Sequence, residues 1–202
     1  MNTMRALVPL LALLAAACFG QVSVEKAPAP PTPPMTPEQE AFMKAGAPGP
    51  YHKLMEPLVG RWKAEVKVWE RPGAEPVVST GTSSHTWIFG GRYLKMEYSG
   101  PYLGQSFIGL GFMGFDNVGK RYVNFWLDNM STWVMYSTGT VSRDEKTFIL
   151  NGSYRDPVSG NLRHQRDEMR VEGPDRLVSR SYEILPGAKE FLSMEIVYTR
   201  AK

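Results

Sequence analysis

Between Trp62 and Arg200 the chain repeats one pattern. Roughly eight to ten residues rich in β-branched and aromatic side chains are followed by a cluster of turn formers. The breaks include Arg71-Pro72-Gly73, Gly90-Gly91, Gly100-Pro101, Asp116-Asn117, Asn129-Met130, Asp156 to Gly160 and Gly173-Pro174-Asp175. They divide the segment into about ten strands, among them 104–115, 121–128, 131–141 and 161–171, each spanning about 30 Å. No helical period and no solenoid-length repeat interrupts them. Strands of even length with short connections predict an all-β protein, an up-and-down antiparallel β-barrel of about ten strands.

The stretch Leu58-Val59-Gly60-Arg61-Trp62 opens this region. Gly60 lets the backbone turn sharply, and Trp62 is expected to plug the closed end of the barrel. Successive antiparallel strands return the tenth strand's end to the first strand's start, which places Arg200 against Trp62. A guanidinium over an indole contributes roughly 0.5–2 kcal/mol. The buried tryptophan matters more, since its loss to alanine costs about 3–5 kcal/mol.

The segments before Trp62 read differently. Residues 1–17 carry Arg5 and then an apolar run too short for a spanning helix, so they read as a signal peptide. The single cysteine, Cys18, follows Ala15-Ala16-Ala17 and resembles the lipidation site of bacterial lipoproteins. Ordinary cleavage after Ala17 or Gly20, leaving a soluble secreted protein, is the other reading. Residues 18–37 form a tether. Its run Ala27–Pro37 favours extended polyproline II and reaches on the order of 35 Å. Residues 38–57 are expected to form short helices capping the barrel, beginning at a Thr36-Pro37-Glu38 helix start. The barrel itself occupies 58–202. An exported protein of the periplasm or cell envelope follows, touching the membrane only through a lipid anchor.

A Gly-x-Trp at the first strand with an arginine on the last resembles the calycin superfamily of lipocalins and fatty-acid-binding proteins. More of the chain resembles the bacterial domain-of-unknown-function family numbered fifteen seventy-nine. The matching segments are Gly49-Pro50-x-His52, Leu58-Val59-Gly60-x-Trp62, Trp87 with Gly90-Gly91-Arg92, Gly114-x-Asp116-Asn117, Trp126-x-Asp128-Asn129-Met130-Ser131-Thr132 and Tyr198-Thr199-Arg200. The resemblance implies the barrel and no particular activity.

Function classes are narrowed by what the sequence carries. A formal charge of +3, or +2 once a leader bearing Arg5 is removed, gives no reason to expect nucleic acid. The barrel segment holds no cysteine, which removes disulfides and thiol chemistry. His52, His85 and His164 stand in separate elements without ligand spacing, so no metal site is expected. A haem held by His85 or His164 has no motif behind it, and no cofactor is expected. No serine elbow, P-loop or dinucleotide fingerprint occurs, since Gly109-Leu110-Gly111 falls inside a strand.

What remains is a cavity for one small apolar or amphipathic ligand, open at the end opposite Trp62. The candidate ligand-binding residues are His85, Met96 and Tyr98 on neighbouring strands, with Trp126, Asp128 and Thr132 at a rim hairpin. Asp128 and Asn129 can equally bond their own turn backbone, and His85 can be a satisfied core residue. The strand 161–171 is charged on both faces. Either one face is solvated and Asp167 is buried with a partner, or the cavity wall is partly polar and can hold a buried Arg–carboxylate anchor. Cross-strand ion pairs on the surface are the ordinary reading. Two further readings stay open: an enzyme with Asp128 and His85 as acid–base groups, with Glu183 and Glu195 as a looser pair, and an envelope module that docks a partner on its outer face.

Overall fold

The computed structural model describes residues 34–184 and 189–202. The signal peptide 1–17, Cys18, most of the tether and part of the rim loop 185–189 lie outside the described residues. Ten antiparallel strands close into a ring in chain order: β1 (Gly60–Val68), β2 (Val77–Ile88), β3 (Tyr93–Tyr102), β4 (Gln105–Asp116), β5 (Arg121–Asp128), β6 (Met135–Val141), β7 (Thr147–Arg155), β8 (Leu162–Gly173), β9 (Arg176–Ile184) and β10 (Phe191–Arg200). β1 pairs with β10 from Trp62↔Arg200 to Val68↔Met194, so no edge strand is left free. The up-and-down barrel expected from the turn spacing is the fold.

Alternation along each strand sorts the side chains. On β1, Trp62, Ala64 and Val66 are buried while Arg61, Lys63 and Glu65 face out. The core gathers toward the Trp62 end around Leu58, Leu94, Tyr122, Phe148 and Leu177, all at or below 1% exposure. Two short helices, α1 (Pro37–Ala45) and α2 (Pro50–Lys53), and a 3-10 turn (Glu56–Leu58) precede β1; His52, Met55 and Leu58 are buried, whereas no residue of α1 is. Thr36 caps α1 as its side chain predicts, accepting from Gln39 N while Gln39 Oε1 accepts from Thr36 N. Asn117 donates to the carbonyls of Ala45 and Ala47, at 2.8 and 2.7 Å. The Tyr51 ring stacks on Phe115 with centroids 4.4 Å apart.

Two strand boundaries differ from expectation. Gly100-Pro101 is not a break: β3 runs through it to Tyr102, and the chain reverses at Leu103-Gly104, both at positive φ. Pairing of β3 with β2 ends at Thr82↔Ser99, so the N–H that Pro101 lacks faces a side with no ladder. Likewise β6 begins at Met135 rather than residue 131. Asn129 is the reason. Its side chain accepts from Ile108 N at 2.8 Å and donates to the Ser106 carbonyl at 2.9 Å, fastening the hairpin to β4 instead of β6.

Candidate functional site

The barrel encloses a cavity of about 410 Å³. Its floor lies above the Trp62 plug. Trp62 is 1% exposed, its indole N–H donates to the Leu58 carbonyl at 3.0 Å, and the Arg200 guanidinium lies 4.1 Å from its ring centroid. Gly60 precedes it at φ +140, and a Cβ there would overlap the Arg200 guanidinium. Both the conformation and the close approach therefore require glycine.

His85 sits on the floor beside the plug, 1% exposed, with ring contacts to Trp62 and Tyr198. Its Nδ1 lies 2.9 Å from the Leu58 carbonyl and its Nε2 2.9 Å from Ser83 Oγ. A carbonyl only accepts, so Nδ1 carries the proton, while the one hydrogen of the Ser83 hydroxyl, which donates to the Glu97 carbonyl at 2.8 Å, lies between that carbonyl and Nε2. Burial outweighs the backbone hydrogen bond and pushes the imidazole down to about 4, so it is neutral at physiological pH. His85 lines the cavity with its one N–H spent on the Leu58 carbonyl and its Nε2 against Ser83 Oγ.

One wall is apolar. Met96 and Tyr98 on β3, Phe107 on β4 and Trp126 on β5 face inward, and the Phe107 and Trp126 rings stack with centroids 6.5 Å apart. The Trp126 indole lies across β4, where its pairing partner is Gly111. A Cβ at Gly109 would overlap the ring, and one at Gly111 would press on it. The two glycines inside β4 thus make the bed for an aromatic side chain, a role their spacing alone does not reveal.

The polar lining begins beside Trp126 on β5 and runs round to β9, with Leu150 and Met169 among it. Asn124 on β5, Ser137 on β6, Gln165 and Asp167 on β8 and Ser181 on β9 all line the cavity. Register links them across the sheet through Asn124↔Ser137, Ser137↔Gly152, Gly152↔Gln165 and Asp167↔Ser181. Asp167 Oδ1 accepts from Ser181 Oγ at 2.7 Å and from Gln165 Nε2 at 2.6 Å. Burial raises the Asp167 carboxyl above the usual carboxylate range, against the pull of those two hydrogen bonds. What surface it keeps opens onto the cavity. The wall at β8 is thus partly polar, with Asp167 half-buried and partnered by Ser181 and Gln165, and among the described residues no arginine lines the cavity to anchor it. The outer face of β8 carries ion pairs that do not run from strand to strand, since Arg166 pairs with Glu168 along β8 and with Glu190 just before β10, and it stacks on Tyr182 at 4.1 Å.

The rim hairpin divides the sequence candidates. Trp126 enters the cavity, but Asp128 and Thr132 are not among its lining residues. Asp128 accepts from Met130 N at 2.9 Å and from the Trp126 indole at 3.3 Å, so it serves the turn and holds the ring edge. Thr132 is exposed in the loop that Asn129 draws toward β4. The acid–base pair is also separated: His85 pairs with Gly60 at the floor, whereas Asp128 pairs with Gly109 near the mouth. Glu183 accepts from the Tyr154 hydroxyl at 3.1 Å, and Glu195 is bound by Arg180 at 2.8 Å, so these two glutamates do not form a pair. Among the described residues no group of His, Cys, Asp and Glu is placed to hold a metal ion.

The outside of β4–β6 carries an exposed apolar group. The Phe125 and Tyr136 rings meet with centroids 4.9 Å apart, flanked by Ile108, Leu127 and Val134.

No curated protein matches this sequence. The crystal structure of Rv2717c from M. tuberculosis is similar in fold, with a TM-score of 0.58 at 15% identity, over 77% of this chain and 100% of that one. At that identity the likeness speaks for the fold alone. The family described as "Protein of unknown function (DUF1579)" matches residues 47–200, which hold α2, the 3-10 turn and all ten strands, and the chain belongs to that family.

Proposed function

We propose that this protein is an exported, non-enzymatic barrel that holds one small apolar or amphipathic molecule in its cavity. It is lipid-anchored at Cys18, with the proline-rich run Ala27–Pro37 as its spacer. The observation that carries the reading is one cavity whose lining joins aromatic and methionine side chains to a band of polar groups, Asn124, Ser137, Gln165, Asp167 and Ser181. Its volume of about 410 Å³ falls within the range of small-ligand sites, about 300–1,000 Å³. An enzymatic reading lacks a pair of acid–base groups in that lining, since the two candidate groups sit at opposite ends of the barrel.

Mass spectrometry of full-length protein purified natively from its host tests both halves of the proposal. The expected N-terminal species is a diacylated or triacylated Cys18, with one small molecule retained per chain. An unmodified N-terminus after Ala17 or Gly20 removes the anchor. Titration with N-phenylnaphthylamine, a neutral apolar fluorophore, is expected to give saturable one-to-one enhancement. If no fluorescence develops and nothing co-purifies, the cavity reading fails. The Phe125–Tyr136 face supports a second reading, a module that docks on a partner through β4–β6. Under that reading the same native spectrum contains an assembly rather than a small-molecule adduct.

A further inference from the structure

We infer that the head group of the molecule held in this cavity is a protonated amine or a similar cationic donor, anchored on Asp167, and that carboxylate amphiphiles are disfavoured. The inference rests on the cavity reading above and adds the chemistry of the ligand to it.

The argument starts from an inventory of donors and acceptors. Both protein donors that reach Asp167 bond to its Oδ1, and among the described residues none bonds to Oδ2. On the same wall Asn124 Oδ1 is buried without a hydrogen-bond partner. Two oxygen acceptors on one cavity wall therefore lack donors. Among the described residues no lysine or arginine lines the cavity, and the one histidine that does, His85, is neutral with its N–H spent on the Leu58 carbonyl. An acceptor-rich, cation-free wall inside a barrel has a negative potential that little solvent screens. A buried carboxylate facing such a space is costly unless a cation or a donor meets it.

An amine supplies both missing features. Its positive charge offsets Asp167, and its several N–H bonds can serve Oδ2 and a second acceptor together. The tail then lies against Met96, Tyr98, Phe107 and Trp126, whose ring faces also favour a nearby cation. A carboxylate head would meet Asp167 with like charge and would leave Asn124 Oδ1 unsatisfied.

The test is a matched series of octylamine, octanol and octanoate, titrated calorimetrically into the full-length protein at neutral pH. Octylamine is expected to bind about tenfold or more tighter than octanoate, with octanol between them. Asp167→Asn keeps the shape and the Ser181 and Gln165 contacts. In that variant octylamine should fall to the level of octanol, while retained octanol binding reports an intact barrel. The ranking in the unsubstituted protein decides the matter even if the variant does not fold. Octanoate binding as tightly as octylamine, or an amine preference that survives Asp167→Asn, overturns the inference and leaves the cavity reading standing. Binding of N-phenylnaphthylamine without any of the three does the same. Failure of the fluorophore as well removes the cavity reading itself.

Discussion

His85 shows how one side chain can be a cavity residue by position and a structural residue by chemistry. Its Nδ1–H and the Trp62 indole N–H share the Leu58 carbonyl as acceptor, so the ring fastens the 3-10 turn to the floor of the barrel. The folded protein keeps the imidazole neutral down to about 4, whereas the unfolded chain protonates it near 6.5. Between those values the unfolded state binds the extra proton, so stability falls as the pH drops from 6.5 toward 4. At about 1.4 kcal/mol per pH unit this loss amounts to about 3 kcal/mol over the window. Urea unfolding at a series of pH values should show that slope in the natural sequence. In His85→Asn the slope should be smaller by that amount. Identical slopes in the two proteins would show that His85 is not the group being titrated.

At the scale of elements, β4 and β5 act as one unit, because the Trp126 ring occupies space that Gly109 and Gly111 leave vacant. Gly109→Ala puts a methyl group into the indole and drives the ring toward the cavity. The expected cost is about 1–3 kcal/mol in stability, typical of overpacking. N-phenylnaphthylamine binding should weaken as well, because the displaced ring takes up cavity volume. Gly111→Ala, whose Cβ meets Trp126 and Met96 at 3.0–3.1 Å, should cost less on both counts. If Gly109→Ala binds the fluorophore as the natural sequence does, the ring does not form the cavity wall.

Strand number and order are legible in the sequence because turn residues and two-residue alternation are local signals. The candidates on β2, β3 and at Trp126 follow from that alternation. Asp128 and Thr132 do not, because a residue at a hairpin tip is placed by side-chain bonds such as those of Asn129, which no periodicity encodes. The polar wall escapes for a related reason. Alternation places Gln165 and Asp167 on the face shared with Met169, but only closure of the ring brings that face into one cavity with Trp126.

Closure is a property of the whole molecule, and Arg200 sits where the ring closes. Its Nη1 donates to the Val59 carbonyl at 2.9 Å and its Nε to the Pro174 carbonyl at 2.7 Å, while its plane covers Trp62. One guanidinium thus ties the approach to β1, the β8–β9 turn and the end of β10. The contact with Asp175 at 3.4 Å involves a largely exposed carboxylate and contributes little. Ten strands in a row would otherwise present two open edges, and β1 and β10 pair across nearly the whole length of the barrel sequence, which makes their contact entropically the costliest. Arg200→Lys keeps the charge but loses the planar fork that serves two carbonyls and an indole together. It should therefore cost about 1–3 kcal/mol, with Arg200→Ala at or beyond the upper end. The location of the damage separates this account from general destabilisation. Amide exchange should quicken first along β1 and β10, and Trp62 should become open to quenching, while β4–β7 keep their protection. Uniform acceleration over all ten strands would mean that the ring does not depend on this one residue for closure.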